Sequence, residues 1–359
     1  MEKFTGINRW RRKIMHALTA GLQSHQNLLP LSSKINRILI CRPNGRLGNM
    51  LLLTPLVREI HDAFPHATID LFVKGPQASR VFREFPQMGR IIELPDRPFA
   101  NLWRYAVTWA KLRQTKYDLV FNVDAGSSSG RLSTKFARGD YKDFGQGHNL
   151  DRYPDAVHMA KNPVYRFREF LAALQLQPRN ARLPELSLCL TREEKTQGAQ
   201  KLHALIRNSN PAVGLFTYAT GNKDMGKDWW QSMLLLLKEE LPQVNFIELL
   251  PAHGVSNLDY KVPSVYSRNI REMAGVASNF QAFIGADSGV MHLASASGVP
   301  VIGLFTVTRK DRYAPYNRQS IGMDMNVHST EDVVRKLKRI IGPKAMLAPS
   351  PMLLREIAN

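Results

Sequence analysis

The sequence predicts an α/β protein of two Rossmann-like domains, each a parallel sheet covered by helices, and three observations carry this. Strand-like and helix-like segments alternate from Asn36 onward, the pattern of βαβ units. A stretch at residues 175–188 holds Pro178 and Pro184 with few large apolar side chains, after which the alternation starts again. The length of 359 residues suits two domains of common size, each able to bury its own core.

Taken in order, residues 37–41 form an apolar strand, 47–64 a helix stopped by Pro65, and 68–73 a second strand. Strands are expected at 90–94 and 117–123, with a helix at 102–112 that is rich in tryptophan and basic residues. The second series places strands at 212–218, 245–250, 282–286 and 301–305 and helices at 229–241, 270–278, 290–297 and 330–341. The domains are therefore read as an arm at 1–35, a first Rossmann-like domain at 36–186, a second at 187–345 and a tail at 346–359. Two parallel sheets in tandem are expected to face a central cleft.

An apolar fraction of 44% and a charged fraction of 22% are those of a globular chain and exclude a disordered or collagen-like class. Cys41 and Cys189 each lie in an apolar, strand-like run, which points to a reducing compartment and no disulfide framework. No apolar run approaches the roughly 18 residues that span a bilayer. The formal charge of +19 calls for an anionic partner. Lys3, Arg9, Arg11, Arg12 and Lys13, interleaved with Phe4, Ile7, Trp10, Ile14 and Leu18, resemble a basic amphipathic helix on anionic lipid. A solvated arm fits the same residues. His16, Thr19 and Gln23 break the apolar region a signal peptide would need.

Two turns carry chemistry. The first, Cys41-Arg42-Pro43-Asn44-Gly45-Arg46-Leu47-Gly48-Asn49, joins the first strand to the first helix, where open parallel sheets bind ligands. It is not the G-x-G-x-x-G dinucleotide fingerprint, and a tight turn with solvated arginines explains it equally well. The second runs from Phe283 to Ala294 through Gly285, Asp287, Ser288, Gly289 and His292, and is followed by Gly298-Val299-Pro300. Amides of Ser288 and Gly289 at the helix start suit a diphosphate, while Asp287 and His292 would fix the loop or touch ribose. Singly these are an N-cap, a packing glycine and a core imidazole.

With the run from Arg42 to Pro55 (R-P-N-G-R-L-G-N-M-L-L-L-T-P), the run from Tyr117 to Gly126 (Y-D-L-V-F-N-V-D-A-G) and the run from Asp287 to Phe305 (D-S-G-V-M-H-L-A-S-A-S-G-V-P-V-I-G-L-F), the chain resembles the ADP-heptose:lipopolysaccharide heptosyltransferases, glycosyltransferase family 9. The resemblance covers about residues 36–338 and implies a GT-B architecture, with an acceptor domain followed by a nucleotide-sugar domain, and transfer with inversion. It puts the diphosphate loop on Asp287, Ser288, Gly289 and His292 and the phosphate-binding lysine on Lys227, ahead of Trp229. A lysine there would offset charge developing on the departing diphosphate.

The sequence departs from the family where Gly48-Asn49 stands in place of Gly-Asp, because an amide cannot serve as general base. Asp124 is the best substitute base, with Asn49 orienting the acceptor, and a catalytically inactive nucleotide-binding homologue is the remaining reading. The family's acidic ribose contact is not obvious, leaving Glu248 or His253. Arg42, Arg46, Gly48, Asn49 and Arg131 are the acceptor-binding candidates. No D-x-D pair and no histidine ligand spacing occur, so no metal and no cofactor are expected.

The expected partners are thus a nucleotide sugar, ADP-heptose by resemblance, a lipopolysaccharide core acceptor and an anionic membrane surface, with the protein a monomer on the cytoplasmic face of a bacterial inner membrane. A same-fold transferase using another nucleotide sugar for O-antigen or capsule shares every motif. A redox enzyme lacks its fingerprint, and a nucleic-acid-binding protein lacks a recognition motif.

Overall fold

The computed structural model describes residues 34–95, 102–146, 150–206, 208–317 and 319–342. Most of the basic arm and the whole C-terminal tail lie outside the described residues. The chain forms two compact units that part between Pro184 and Glu185.

In the first unit, β1 (Arg37–Arg42), β2 (Thr68–Lys74), β3 (Met88–Leu94), β4 (Lys116–Asn122) and β5 (Arg138–Asp143) make a five-stranded sheet in the order β3-β2-β1-β4-β5. Every pairing is parallel. The near-continuous apolar run of β1, buried from Ile38 onward, is what a strand covered on both faces requires. Helices α1 (Leu47–Leu51), α2 (Thr54–Ala63), α3 (Gln77–Val81), α4 (Leu102–Lys111), α5 (Ser128–Phe136) and α6 (Lys161–Ala173) surround it.

The helix expected over 47–64 is broken in two. Pro55 has no N–H to donate to the turn before it, and Thr54 uses its hydroxyl on Leu51 O at 2.7 Å, so the ladder stops at Leu53 and restarts. Strand β5 was not expected because Arg-Gly-Asp-Tyr-Lys-Asp reads as a loop; the edge of a sheet tolerates its charges.

Buried Asp70, within β2, is a structural hub. It accepts from Arg37 at 3.3 Å, Arg90 at 3.2 Å and Tyr117 Oη at 2.9 Å. Burial, with the Asp70 charge added, pushes the Tyr117 phenol up to about 12.

In the second unit, β6 (Ala212–Phe216), β7 (Asn245–Leu249), β8 (Ser264–Val265), β9 (Ala282–Ala286), β10 (Val301–Phe305) and β11 (Ile321–Asp324) form a parallel sheet ordered β11-β10-β9-β6-β7-β8. Counted within the unit this is 6-5-4-1-2-3, the Rossmann order read from its far edge. Its helices are α7 (Arg192–Leu205), α8 (Lys227–Glu240), α9 (Ile270–Ala277), α10 (Gly289–Ala296), α11 (Lys310–Tyr313) and α12 (Thr330–Ile341). The core cluster joins Val213, Ile284 and Ile302 of the strands to Trp230, Met233 and Leu237 of α8 and Val333 and Leu337 of α12.

Helix α7 opens with a capping box between Thr191 and Glu194, and Glu194 also accepts from Nε and Nη2 of Arg271 at 2.6 and 2.8 Å. Helices α7 and α9 meet at Gly198 and Gly275, where a Cβ on Gly198 would lie 2.0 Å from the Gly275 carbonyl oxygen. The segment around Cys189, expected as a strand, instead runs extended past helix ends. Leu186 and Leu188 donate to Tyr316 O and Ala296 O, and Cys189 itself adopts φ +48°.

Candidate active site

In open parallel sheets, ligands bind outside the carboxyl ends of the strands where the strand order reverses. The first sheet reverses between β1 and β4, and the second between β6 and β9. Both sequence-predicted turns leave these strands, so local order and topology converge on the same two places.

At the first reversal, Arg42 ends β1 with its side chain almost buried. Its Nη1 donates to Asp124 Oδ2 at 2.7 Å and its Nη2 to Asn49 Oδ1 at 3.2 Å. The candidate base Asp124 and the candidate orienting residue Asn49 are thereby gathered on one guanidinium. Asp124 Oδ1 also accepts the Gly126 amide at 2.9 Å, an Asx turn that fixes the carboxylate, yet its side chain stays 26% exposed. Ionised carboxylate oxygens keep spare lone pairs, so Asp124 retains accepting capacity. With its oxygen turned to Arg42, Asn49 presents its NH2 as a donor.

The acceptor-binding candidates divide. Arg46 is exposed, its backbone amide held by Asn44 Oδ1 at 3.0 Å. Gly48 lies in α1, accepting from Leu52 N at 2.9 Å. Arg131 is buried in α5 and donates to Ala125 O, so it braces the loop after β4 instead of presenting its charge. Arg42 is likewise spent on Asp124 and Asn49. The loop is held from below by two residues that sequence reasoning missed. Asn122 donates to Asp124 O at 2.9 Å and Phe144 O at 2.8 Å. Arg166, buried, donates to Asn122 O and Val123 O at 2.9 Å each and pairs with Asp143.

At the second reversal, Asp287 follows β9 and Ser288 caps α10, its Oγ accepting from Met291 N at 3.3 Å. The amides of Gly289 and Val290 are left without an intrahelical acceptor at the positive end of the helix dipole. Helix α10 lies close on the sheet because Gly303 has no side chain; a Cβ there would lie 2.5 Å from Met291 Sδ. His292 is buried within α10.

Lys223, in the 3-10 turn Gly221–Lys223 after β6, places Nζ 2.7 Å from Asp287 Oδ2. Sequence reasoning missed Lys223; its signal was a lysine in a Gly-Asn-Lys turn leaving the central strand. Lys227, the first residue of α8, pairs instead with Asp259 at 2.5 Å, and both side chains are about half exposed. That lysine holds the Asp259 carboxyl below its ordinary range.

Glu248, proposed as a ribose contact, is fully buried at the end of β7. Its oxygens take the hydroxyls of Thr217, at 2.7 Å, and Ser256, and Ser256 Oγ in turn accepts the Leu258 and Tyr260 amides. This makes Glu248 an anchor for the following loop. His253 stacks edge-on against Tyr218, ring centroids 4.7 Å apart. Among the described residues no three His, Cys, Asp or Glu side chains group as they would around a metal ion.

The family model for glycosyltransferase family 9 (heptosyltransferase) matches residues 106–339. The chain belongs to this family. Similar solved structures include the glycosyl transferase family 9 protein of Veillonella parvula, at 14% identity over 85% of this chain and 97% of that one, TM-score 0.66. E. coli heptosyltransferase WaaC with ADP is 14% identical over 85% and 99% of the two chains, TM-score 0.63. E. coli ADP-heptose lps heptosyltransferase II is 15% identical over 85% and 98%, TM-score 0.61. These likenesses establish the fold, two parallel-sheet domains of the GT-B type. No curated protein sequence matches the chain. As a family 9 member it is a glycosyltransferase of the heptosyltransferase group, and among its described residues no helix is long and apolar enough to cross a membrane.

Proposed function

We propose that the chain transfers a heptose from ADP-heptose to the lipopolysaccharide core, with inversion at the anomeric carbon and without a metal, on the cytoplasmic face of the inner membrane where that lipid-borne acceptor is made. The observation that carries this reading is the Lys223–Asp287 pair beside the Ser288-capped opening of α10: an ordered cation and open helix amides at a sheet reversal suit a diphosphate. Family membership points to heptose, and the bound ADP named for the E. coli WaaC structure supports adenine as the base.

In this reading the first unit holds the acceptor. Its hydroxyl oxygen attacks the anomeric carbon, the proton passes to Asp124, and Asn49 orients the hydroxyl by donating to it. The second unit holds the donor. As the bond from the anomeric carbon to the diphosphate breaks, the electron pair leaves with ADP and its charge meets the α10 amides and Lys227. The exposed Lys227–Asp259 pair costs little to exchange for a phosphate. Lys223 keeps the loop after β6 fastened to Asp287, which orders the site before the donor arrives.

The experiment is to incubate the purified protein with ADP-heptose, a panel of UDP-sugars and truncated lipopolysaccharide cores, with and without chelator, and weigh the products. A heptose added from ADP-heptose in both conditions is expected. Transfer only from another nucleotide sugar, or nucleotide binding with no transfer at all, would overturn the proposal.

A further inference from the structure

Helix α4 is apolar on both sides. Tyr105 and Trp109 pack against the core cluster of Leu39, Phe72 and Tyr117, and Thr108 is buried beside them. Its opposite side shows Leu102, Trp103, Ala106 and Ala110 to solvent, with Leu102 63% and Trp103 78% exposed. Lone exposed apolar residues need no explanation, but a surface helix that groups Leu102, Trp103, Ala106 and Ala110 on the side away from the core has a second partner to find.

The charge around this face is mostly positive. Residues 102–117 and 128–139 include Arg104, Lys111, Arg113, Lys135 and Arg138 among their basic side chains and no Asp or Glu, while Lys116 is taken up by Asp140 at 2.8 Å. The patch is continuous across two helices: Arg113 lies over the Phe136 ring at 5.3 Å, and Trp109 meets the same ring edge-on at 5.8 Å. Beneath it Lys142 is drawn below its ordinary value, first by burial and then by the Arg113 charge.

We propose that this face of α4 docks on an anionic lipid bilayer, Trp103 and Leu102 entering the headgroup boundary while Lys111 and Arg113 meet lipid phosphates. Tryptophan with an apolar body and an N–H favours that boundary, and basic residues next to it add the attraction of anionic lipid. The other occupants fit less well. The chain's own first thirteen residues carry five basic side chains against Glu2, and a second copy brings the same positive patch, so both repel. A nucleic acid would satisfy the charge and leave Leu102 and Trp103 without a partner. The inference rests on the membrane-borne acceptor only for where the enzyme works.

The test uses the full chain and vesicles of mixed phosphatidylglycerol and phosphatidylcholine, with pure phosphatidylcholine and duplex DNA as separate arms. The native protein is expected to sediment with the mixed vesicles alone. Leu102→Ala with Trp103→Ala, and separately Lys111→Gln with Arg113→Gln, should each weaken that binding about tenfold, with an unchanged circular dichroism spectrum; Trp103→Phe should retain most of it. Undiminished vesicle binding by both double variants overturns the proposal. So does failure of the native protein to bind, or preferential DNA binding through these residues. Because the readout is lipid, a protein that binds vesicles but no ADP would sink the donor reading and leave this one standing.

Discussion

The ammonium of Lys223 sits 2.7 Å from Asp287 Oδ2, joining the loops that follow the two strands between which the second sheet reverses. Asp287 is only 7% exposed, and removing the lysine would leave a nearly buried carboxylate without its ion-pair partner. Lys223→Ala and Asp287→Asn should each weaken ADP binding by roughly tenfold or more. The double variant should be no worse than the poorer single one, because both remove the same tie. Calorimetry of the four proteins decides, and additive losses would mean the residues act separately.

Lys227 should behave differently. Its exposed partner releases it readily, so Lys227→Ala is expected to reduce turnover by about a hundredfold or more with the folded state unaltered. Steady-state kinetics beside thermal melting would check this; unchanged kcat would remove Lys227 from the mechanism.

Asp124→Asn should lower kcat by about a hundredfold to ten-thousandfold with a smaller change in KM. Since Arg42 holds both residues, adding Asn49→Asp should return a carboxylate to the same guanidinium and recover part of the loss. If the added aspartate recovers nothing, Asn49 lies out of reach of the hydroxyl and its role is confined to bracing Arg42.

Arg166 is buried against Asp143 and the carbonyls that end β4. Arg166→Met strands that carboxylate and should cost about 3–5 kcal/mol in urea denaturation. Arg166→Met with Asp143→Leu should win back much of it, because no uncompensated charge then remains.

Cys41 is fully buried in β1, and burial pushes its thiol up to about 11, only partly offset by Ser133 and Thr134. At pH 8 about one molecule in a thousand would carry the thiolate, so a thiol reagent should label Cys41 only on unfolding. Labelling of native protein should rise as pH climbs toward 11; fast reaction at pH 8 would show the strand opening.

The inner strands of both sheets were legible because a fully covered parallel strand writes itself as an unbroken apolar run, as in residues 37–41 and 282–286. Helix α10 was legible from Asp287-Ser288-Gly289, where a cap and a close-packed turn fall together. The edge strands β5, β8 and β11 were not: β5 keeps its charges, and β8 and β11 are only two and four residues long. Lys223 was hidden for another reason. Two lysines four residues apart leave the same strand, and only the folded path of the turn decides which one meets Asp287. Arg42 and Arg131 read from sequence as acceptor-binding cations, yet Arg42 is taken up by Asp124, 82 residues on, a pairing no local pattern records, and Arg131 by the Ala125 carbonyl of the loop before its own helix.

Between α7 and α9 the main chains touch through Gly198 and Gly275, with no space for even a methyl group. In a library randomised across the second unit, these two codons should be stripped to glycine, while the exposed apolar positions nearby drift. A tolerance map of that kind would find this helix crossing without any assay of sugar or lipid.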